Sequence, residues 1–273
     1  MDSSGTSGQK PLLGIDTSVA HSARAWNYLL GGKDNYPVDQ QAAEQYIAAM
    51  PGVIDLARAD RAFLGRAVRY LAGEAGIRQF LDIGTGLPTA SNTHEVAQAT
   101  APECRIVYVD NDPLVLVHAR ALLTSSPEGV TDYVDADLRA PDTIVREAAR
   151  TLDFAQPIAL MLLGIMEHIM DTDEAYAIVN RLLDALPSGS YLVLSHATAE
   201  VDPEVMLEGM RQWNEGGGTP PLVARSRQEL TRFFDRVELL EPGVVSCPLW
   251  RPDLSGVGTP VEVDFFGGVG RKP

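Results

Sequence analysis

The sequence predicts an α/β fold: a doubly wound, mostly parallel sheet with helices on both faces. Three observations predict it. Short apolar segments alternate with helical patterns through the middle of the chain, which is the order that builds a parallel sheet with crossover helices. One segment, "PIALMLLG" at 157–164, is apolar throughout, as a strand buried on both faces should be. Near the C-terminus two strand-like segments follow one another with no helix between them, which makes them an antiparallel pair.

The elements follow in order. "MDSSGTSGQK" has neither an apolar core nor a cleavage pattern, so residues 1–14 read as a disordered tail and not as a secretion signal. Helical spacing covers 39–50 and 53–72, on either side of Pro51-Gly52. In the second segment Val53, Leu56, Ala57, Leu64, Ala67, Val68 and Leu71 recur at three- and four-residue steps. Residues 15–74 therefore read as a helical cap and 75–273 as the core. Strands are expected at 80–84, 105–110, 131–137, 157–164 and 190–196. The clearest crossover helix is 172–186, with Ala175, Ile178, Val179, Leu182, Leu183 and Leu186 on one face. It opens at Asp171 with Glu174 three residues on, and stops at Pro187-Ser188-Gly189. Ser226 and Glu229 open a short helix at 227–234. Strand-like segments at 236–245 and 261–268 follow, with a Pro/Gly-rich stretch (241–260) between them. There are no internal repeats.

Composition narrows the function. The longest apolar run, 158–166, is about half of what spans a bilayer, so no transmembrane helix is expected. The two cysteines, Cys104 and Cys247, have no metal-type spacing and form no disulfide framework, which suits a cytoplasmic chain. A net charge of −15 and the lack of a dense basic tract count against a nucleic-acid partner. They leave a small molecule as the expected partner. The sequence does not fix the oligomeric state.

The chemistry concentrates after the first three strands. In "LDIGTGLPT", Asp82 lies in the strand, Gly84 ends it, and Thr85 and Gly86 form the turn. Glycines there let the backbone bend and approach a ligand, at the carboxyl edge where doubly wound sheets bind. An ordinary strand-to-helix turn would look similar. The second strand ends on Asp110-Asn111, 26 residues after Gly84. An acid there can accept both hydroxyls of a ribose, and with the glycine turn upstream this reading is favoured over a turn carboxylate. Asp137 follows the third strand; it can accept from an adenine amine while Leu138 packs on the ring, or it can simply favour a helix N-terminus. The glycine turn lacks the third glycine of a dinucleotide fingerprint, and no Walker-type lysine is present to hold a triphosphate. Glycine turn, ribose acid and adenine acid without a phosphate site suit S-adenosylmethionine.

This order of motifs resembles the class I S-adenosylmethionine-dependent methyltransferases, whose Rossmann-like sheet ends in an antiparallel strand pair. "IDTSVAHSARAWNYLLGGKDNYPVD" (15–39), "FLDIGTGLPTASNTHEVAQ" (80–98), "VDNDPLVLVHARALL" (109–123) and "YLVLSHAT" (191–198) resemble, more narrowly, an actinobacterial S-adenosyl methyltransferase-like family, long known only as a domain of unknown function. The resemblance runs from about Gly14 to the end. It implies the fold, S-adenosylmethionine as cofactor and S-adenosylhomocysteine as product, but no substrate. Members often carry paired histidines after the fourth strand; this chain has Glu167-His168.

Glu167 and His168 are the expected catalytic pair, placed to face an acceptor. His94 and His196 are more readily structural. The opening stretch 23–37 then has a use as a lid. Tyr28 and Tyr36 offer rings, Gly31 and Gly32 allow close approach, and Arg24 or Lys33 can meet the cofactor's methionine carboxylate. The same stretch also reads as a helix face packed on the domain, with Gly31 ending the helix. The favoured function is methyl transfer from S-adenosylmethionine to a small molecule. A cofactor-binding module without catalysis is the alternative, and an NAD-dependent oxidoreductase a weaker third.

Overall fold

The computed structural model of the chain describes residues 16–89, 91–122, 125–252 and 260–273. The tail expected at 1–14, and part of the joint expected at 241–260, lie outside the described residues. Three helices come first: α1 (Ser22–Leu29), α2 (Pro37–Ala49) and α3 (Val53–Gly73). Strands and helices then alternate: β1 (Gln79–Ile83), α4 (Thr93–Thr100), β2 (Arg105–Asp110), α5 (Pro113–Leu122), β3 (Val130–Asp135), α6 (Pro141–Ala148), β4 (Ala159–Leu163), α7 (Thr172–Ala185) and β5 (Tyr191–Ala197). The chain continues through α8 (Pro203–Glu215), α9 (Arg227–Arg232), β6 (Glu238–Leu239), β7 (Val245–Ser246) and β8 (Phe265–Arg271).

The sheet order is β3-β2-β1-β4-β5-β8-β6, with β7 also on β8. The first five strands pair parallel, and β8 runs antiparallel to β5 from Tyr191↔Arg271 to Ala197↔Phe265. The side-chain period of two sends alternate residues to two helical layers. Phe80, Ala159, Met161 and Val193 join the layer that holds α1, α2, α3 and α8. Leu81, Leu160, Leu162 and Leu192 join the layer of α6, α7 and α9. Both faces are thus covered, which is why β4 reads as apolar at every position. On α3, Phe63, Ala67, Val68 and Leu71 are fully buried in the same cluster as Phe80 and Val269, so this helix completes the core of the sheet.

Local signals account for the ends. The Asp171 side chain accepts from the Glu174 N–H at 2.8 Å, and Ser226 and Glu229 cap α9 reciprocally. The C-terminal pair is more elaborate than expected: β6 and β7 are two residues each and both pair with β8, which runs later than 261–268. Gly267, Gly268 and Gly270 pull that strand's sequence away from strand propensity. They are there because a Cβ at Gly267 would sit 2.8 Å from the Phe63 ring and one at Gly268 would sit 3.2 Å from Phe234. The helix α8 carries no signal that the sequence pattern brought out. Its Gly209 lies against Tyr46 of α2, and Trp213 tilts against the same ring at 6.4 Å. Among the described residues no helix is long and apolar enough to cross a membrane.

Candidate functional site

Five parallel strands place five loop starts on one edge, and a large cleft opens there. Its walls include 82–87, 109–111, 136–139, 163–165, 167–169 and Ala197, so the residues expected around the cofactor at the ends of β1, β2 and β3 share one cleft with Glu167 and His168 after β4. The cleft is closed from the side of α1, α3 and α8 by Trp26, Leu30, Leu56, Leu64, Met206 and Trp213.

The β1–β3 half of the cleft is built around the glycine turn. Gly84 and Gly86 have φ of +76° and +62°, a region open to glycine at little cost. At Gly84 a Cβ would collide with Ile165; at Gly86 it would meet nothing within 4 Å and would project into open space. The Gly86 N–H donates to Asp110 Oδ2 at 3.0 Å, and the Asp112 N–H donates to Oδ1 at 2.9 Å. Turn and acid are therefore one unit, with lone pairs left on the carboxylate. Asp82 is buried and accepts from the Thr93 hydroxyl at 2.6 Å. Asp137 accepts from the Arg139 N–H at 2.8 Å and from Asn111 Nδ2 at 3.3 Å, while Leu138 is buried beside it. Thr85 lines the same wall.

The other half is acidic as well. Asp60, from α3, is buried and accepts the Ser195 hydroxyl at 2.6 Å. Glu167 is buried in the turn after β4, and its Oε2 has no hydrogen-bond partner among the described residues. Burial pushes the carboxyls of Asp60, Asp82 and Asp110 up to about 6. Burial, reinforced by the charge of Asp60, pushes Glu167 up to about 8.

The histidines divide. His168 lines the cleft, and its Nδ1 lies 3.1 Å from the Pro221 carbonyl, so that nitrogen carries the proton and Nε2 keeps its lone pair. Burial pulls it down to about 4. His196 is sealed: Nδ1 donates to the Ala197 carbonyl at 2.7 Å, and Nε2 accepts from Arg225 Nη1 at 2.7 Å. Burial, with Arg225 beside it, holds it down at about 3. His94 is the second residue of α4, and its Nδ1 faces the Tyr108 hydroxyl at 2.8 Å.

The opening stretch is placed differently from the lid expectation. Arg24 does not face the cleft: it is buried, pairs with Asp39 at 3.1 Å and donates to the Asp16 and Val19 carbonyls. Tyr28 donates to Glu44. Lys33 is exposed and outside the cleft lining. Gly32 is glycine because a Cβ there would collide with Asn27, which binds the Asp34 N–H and Asn35 Nδ2. From this stretch it is Ala23, Ala25, Trp26, Asn27, Leu29 and Leu30 that reach the cleft, together with His21 and Ser22 just before it. Among the described residues, the arginines that line the cleft are Arg61 and Arg139. Sequence reasoning missed Asp60, Arg61 and His21. For Asp60 a signal existed, since it falls in step with Val53, Leu56, Ala57 and Leu64 on the apolar stripe of α3.

A family model for S-adenosyl methyltransferases matches residues 9–273. The chain belongs to this family. It is 45% identical to a DUF574 family protein from Streptomyces avermitilis, with a TM-score of 0.89 over 94% of this chain and 99% of that one. It is 40% identical to a candidate methyltransferase from Thermobifida fusca, with a TM-score of 0.87 over 96% of this chain and 98% of that one. The N-methyltransferase NodS of Bradyrhizobium japonicum, solved with S-adenosyl-l-homocysteine, is 15% identical with a TM-score of 0.50, over 92% of this chain and 99% of that one; this is a likeness of fold alone. Among curated proteins none matches. This S-adenosyl methyltransferase thus has the Rossmann-like sheet of the class I enzymes and S-adenosylmethionine as its cofactor.

Proposed function

We propose that the cleft binds S-adenosylmethionine in its β1–β3 half and a small-molecule methyl acceptor in its β4–β5 half, with residues 15–74 as the cap and 75–273 as the core. The observation that carries this is the Gly86–Asp110 unit: a glycine turn open to a ligand, hydrogen-bonded to an acid at the end of the next strand. In this reading Asp110 accepts the ribose hydroxyls. Asp137 and Leu138 hold the adenine, with Asn111 orienting Asp137. Gly84, Thr85 and Gly86 pass under the methionine portion. Asp82 receives its ammonium, and Arg61 its carboxylate in place of Arg24 or Lys33. The bound cofactor supplies an electrophilic methyl group on a sulfonium. The chain supplies orientation, exclusion of water by the apolar wall of α1 and α8, and proton acceptors at Glu167 and His168. Two buried free cysteines suit a cytoplasmic setting, and the acidic surface disfavours nucleic acid.

Calorimetry tests the reading. S-adenosylhomocysteine should bind and NAD far more weakly. Asp110→Ala should cost about 1.5–3 kcal/mol of that affinity, the worth of a charge-assisted acceptor. Equal binding of NAD would sink it.

A further inference from the structure

The cleft holds more acid than the cofactor needs. Asp82, Asp110 and Asp137 lie at the ends of β1, β2 and β3. Asp60 and Glu167 lie across the β1/β4 boundary, on α3 and after β4. The two converge: a Cβ built on Gly164 would lie 3.7 Å from Glu167 Oε1 and 3.9 Å from Asp60 Oδ2. Gly164 has φ +59°, so the chain keeps that space clear. Glu167 Oε2 is buried with no partner among the described residues, and an orphaned buried carboxylate oxygen is expensive unless something donates to it. Asp60 receives the Ser195 hydroxyl on Oδ1, the oxygen turned away from Gly164. The nearby guanidinium of Arg225 is directed elsewhere, to the Met166 and Ile169 carbonyls and His196. The cleft carries apolar surface at Trp26, Leu56, Leu64, Met206, Trp213 and Phe265, and the charge of Arg61, also in its lining, acts on Asp60.

We propose that the methyl acceptor is an amine on an apolar body, whose nitrogen is received between Asp60 and Glu167. The proposal rests on the reading of the β1–β3 half as the cofactor site. A cation suits a buried pair of carboxylates, and its apolar remainder suits the aromatic and methionine walls. The step balances. Binding of the cation displaces to solvent the proton that burial keeps on Glu167; the bound ammonium then gives one proton back to Glu167 and exposes the nitrogen lone pair. That pair forms the new N–C bond as the sulfonium's S–C bond breaks and its electrons return to sulfur. The product is a methylated ammonium facing Asp60, a neutral thioether and protonated Glu167, the form that burial favours once the site empties.

The test uses the full chain saturated with S-adenosylhomocysteine and matched probes: phenethylamine and tryptamine, the neutral 2-phenylethanol and the anionic 3-phenylpropionate. Calorimetry should show both amines binding at least tenfold more tightly than the alcohol, and the anion not at all. Glu167→Gln should weaken the amines at least tenfold and leave S-adenosylhomocysteine within threefold; Asp60→Asn should do the same, and serves if the first variant fails to fold. Equal binding of the alcohol, preferred binding of the anion, or no binding by either amine overturns the proposal. So does loss of S-adenosylhomocysteine affinity with amine affinity intact, which would give the two acids to the cofactor. If the wild type binds amines but no S-adenosylhomocysteine, the cofactor reading fails instead and the amine site stands.

Discussion

Ser195 on β5 donates its hydroxyl to Asp60 on α3 at 2.6 Å, joining residues 135 positions apart. The bond ties the N-terminal helices to the centre of the sheet and gives a buried carboxylate a donor. It also works against burial, which has pushed Asp60 up to about 6.

Ser195→Ala should therefore raise the Asp60 pKa further and destabilise the protein by about 1–3 kcal/mol at pH 7, the cost of an unmet charged acceptor. Urea unfolding measures it. The loss should shrink at pH 5, where folded Asp60 is protonated and the bond is no longer charge-assisted. A variant as stable as the wild type at pH 7 would mean that water replaces the hydroxyl.

Glu167 gives a sharper dependence on pH. Its carboxyl is at about 8 when folded, against an ordinary 4.5, because of burial and the charge of Asp60; the Ala197 N–H and Arg225 pull the other way. A carboxyl raised on folding holds its proton more tightly in the native state. Its contribution is complete below about 4.5 and is lost as pH climbs to about 8. Glu167→Gln fixes the neutral form and removes that loss. The apo variant should match the wild type near pH 5 and exceed it near pH 9 by about 2–4 kcal/mol. Each tenfold change in proton affinity is worth about 1.36 kcal/mol, and relaxation around the charge recovers part of the sum. Asp60, Asp82 and Asp110 add declines of their own at lower pH, common to both proteins. Stability curves from pH 5 to 9 that run parallel would refute the assignment.

The two turn glycines separate folding from binding. Gly84→Ala forces both a left-handed backbone and a collision with Ile165, so it should cost stability well beyond the roughly 1–2 kcal/mol of the backbone alone. Gly86→Ala carries only the backbone cost, since its Cβ meets open space, but that space is where the cofactor is proposed to pass. It should stay folded, with S-adenosylhomocysteine affinity reduced at least tenfold. Thermal melts and calorimetry on the two variants should give opposite orders of severity.

The parallel sheet was legible because its rule is local. Buried strands such as 157–164 are apolar throughout, and Asp171 and Ser226 mark helix starts by side-chain chemistry that needs no tertiary context. The β1–β3 wall of the cleft was legible for the same reason: the glycine turn, Asp110 and Asp137 each sit at or just past a strand end, and topology brings strand ends together. The β4–β5 half was half hidden. Glu167 follows β4 and could be found, but Asp60 comes near it from α3, a placement that no spacing encodes. Its trace was a charged residue on an apolar stripe. Arg24 misled for the converse reason. A basic residue beside glycines resembles a ligand contact, whereas its partner, Asp39, is fifteen positions away in the next helix and fully buried.

That pairing makes the last contrast between Arg24 and Lys33. Both were expected to meet the methionine carboxylate. Arg24 is buried beneath the stretch, bonded to Asp39 and two carbonyls, with its guanidinium over the Tyr36 ring at 5.4 Å. Asp39 also accepts from the His21 and Tyr36 N–H groups, so it anchors the start of both α1 and α2. Arg24→Ala leaves that carboxylate buried without its cation and should cost about 3 kcal/mol or more. Affinity for S-adenosylhomocysteine should fall only as far as the unfolding population requires. Lys33→Ala touches an exposed side chain and should change stability by no more than about 0.5 kcal/mol, with affinity unchanged. Hydrogen exchange across 24–37 supplies the independent check. A packed element gives the same protection with and without S-adenosylhomocysteine, and Arg24→Ala loosens it in both states. If instead exchange there slows on binding and Lys33→Ala weakens the cofactor, the stretch closes over the ligand, and Lys33 moves from the surface to the site.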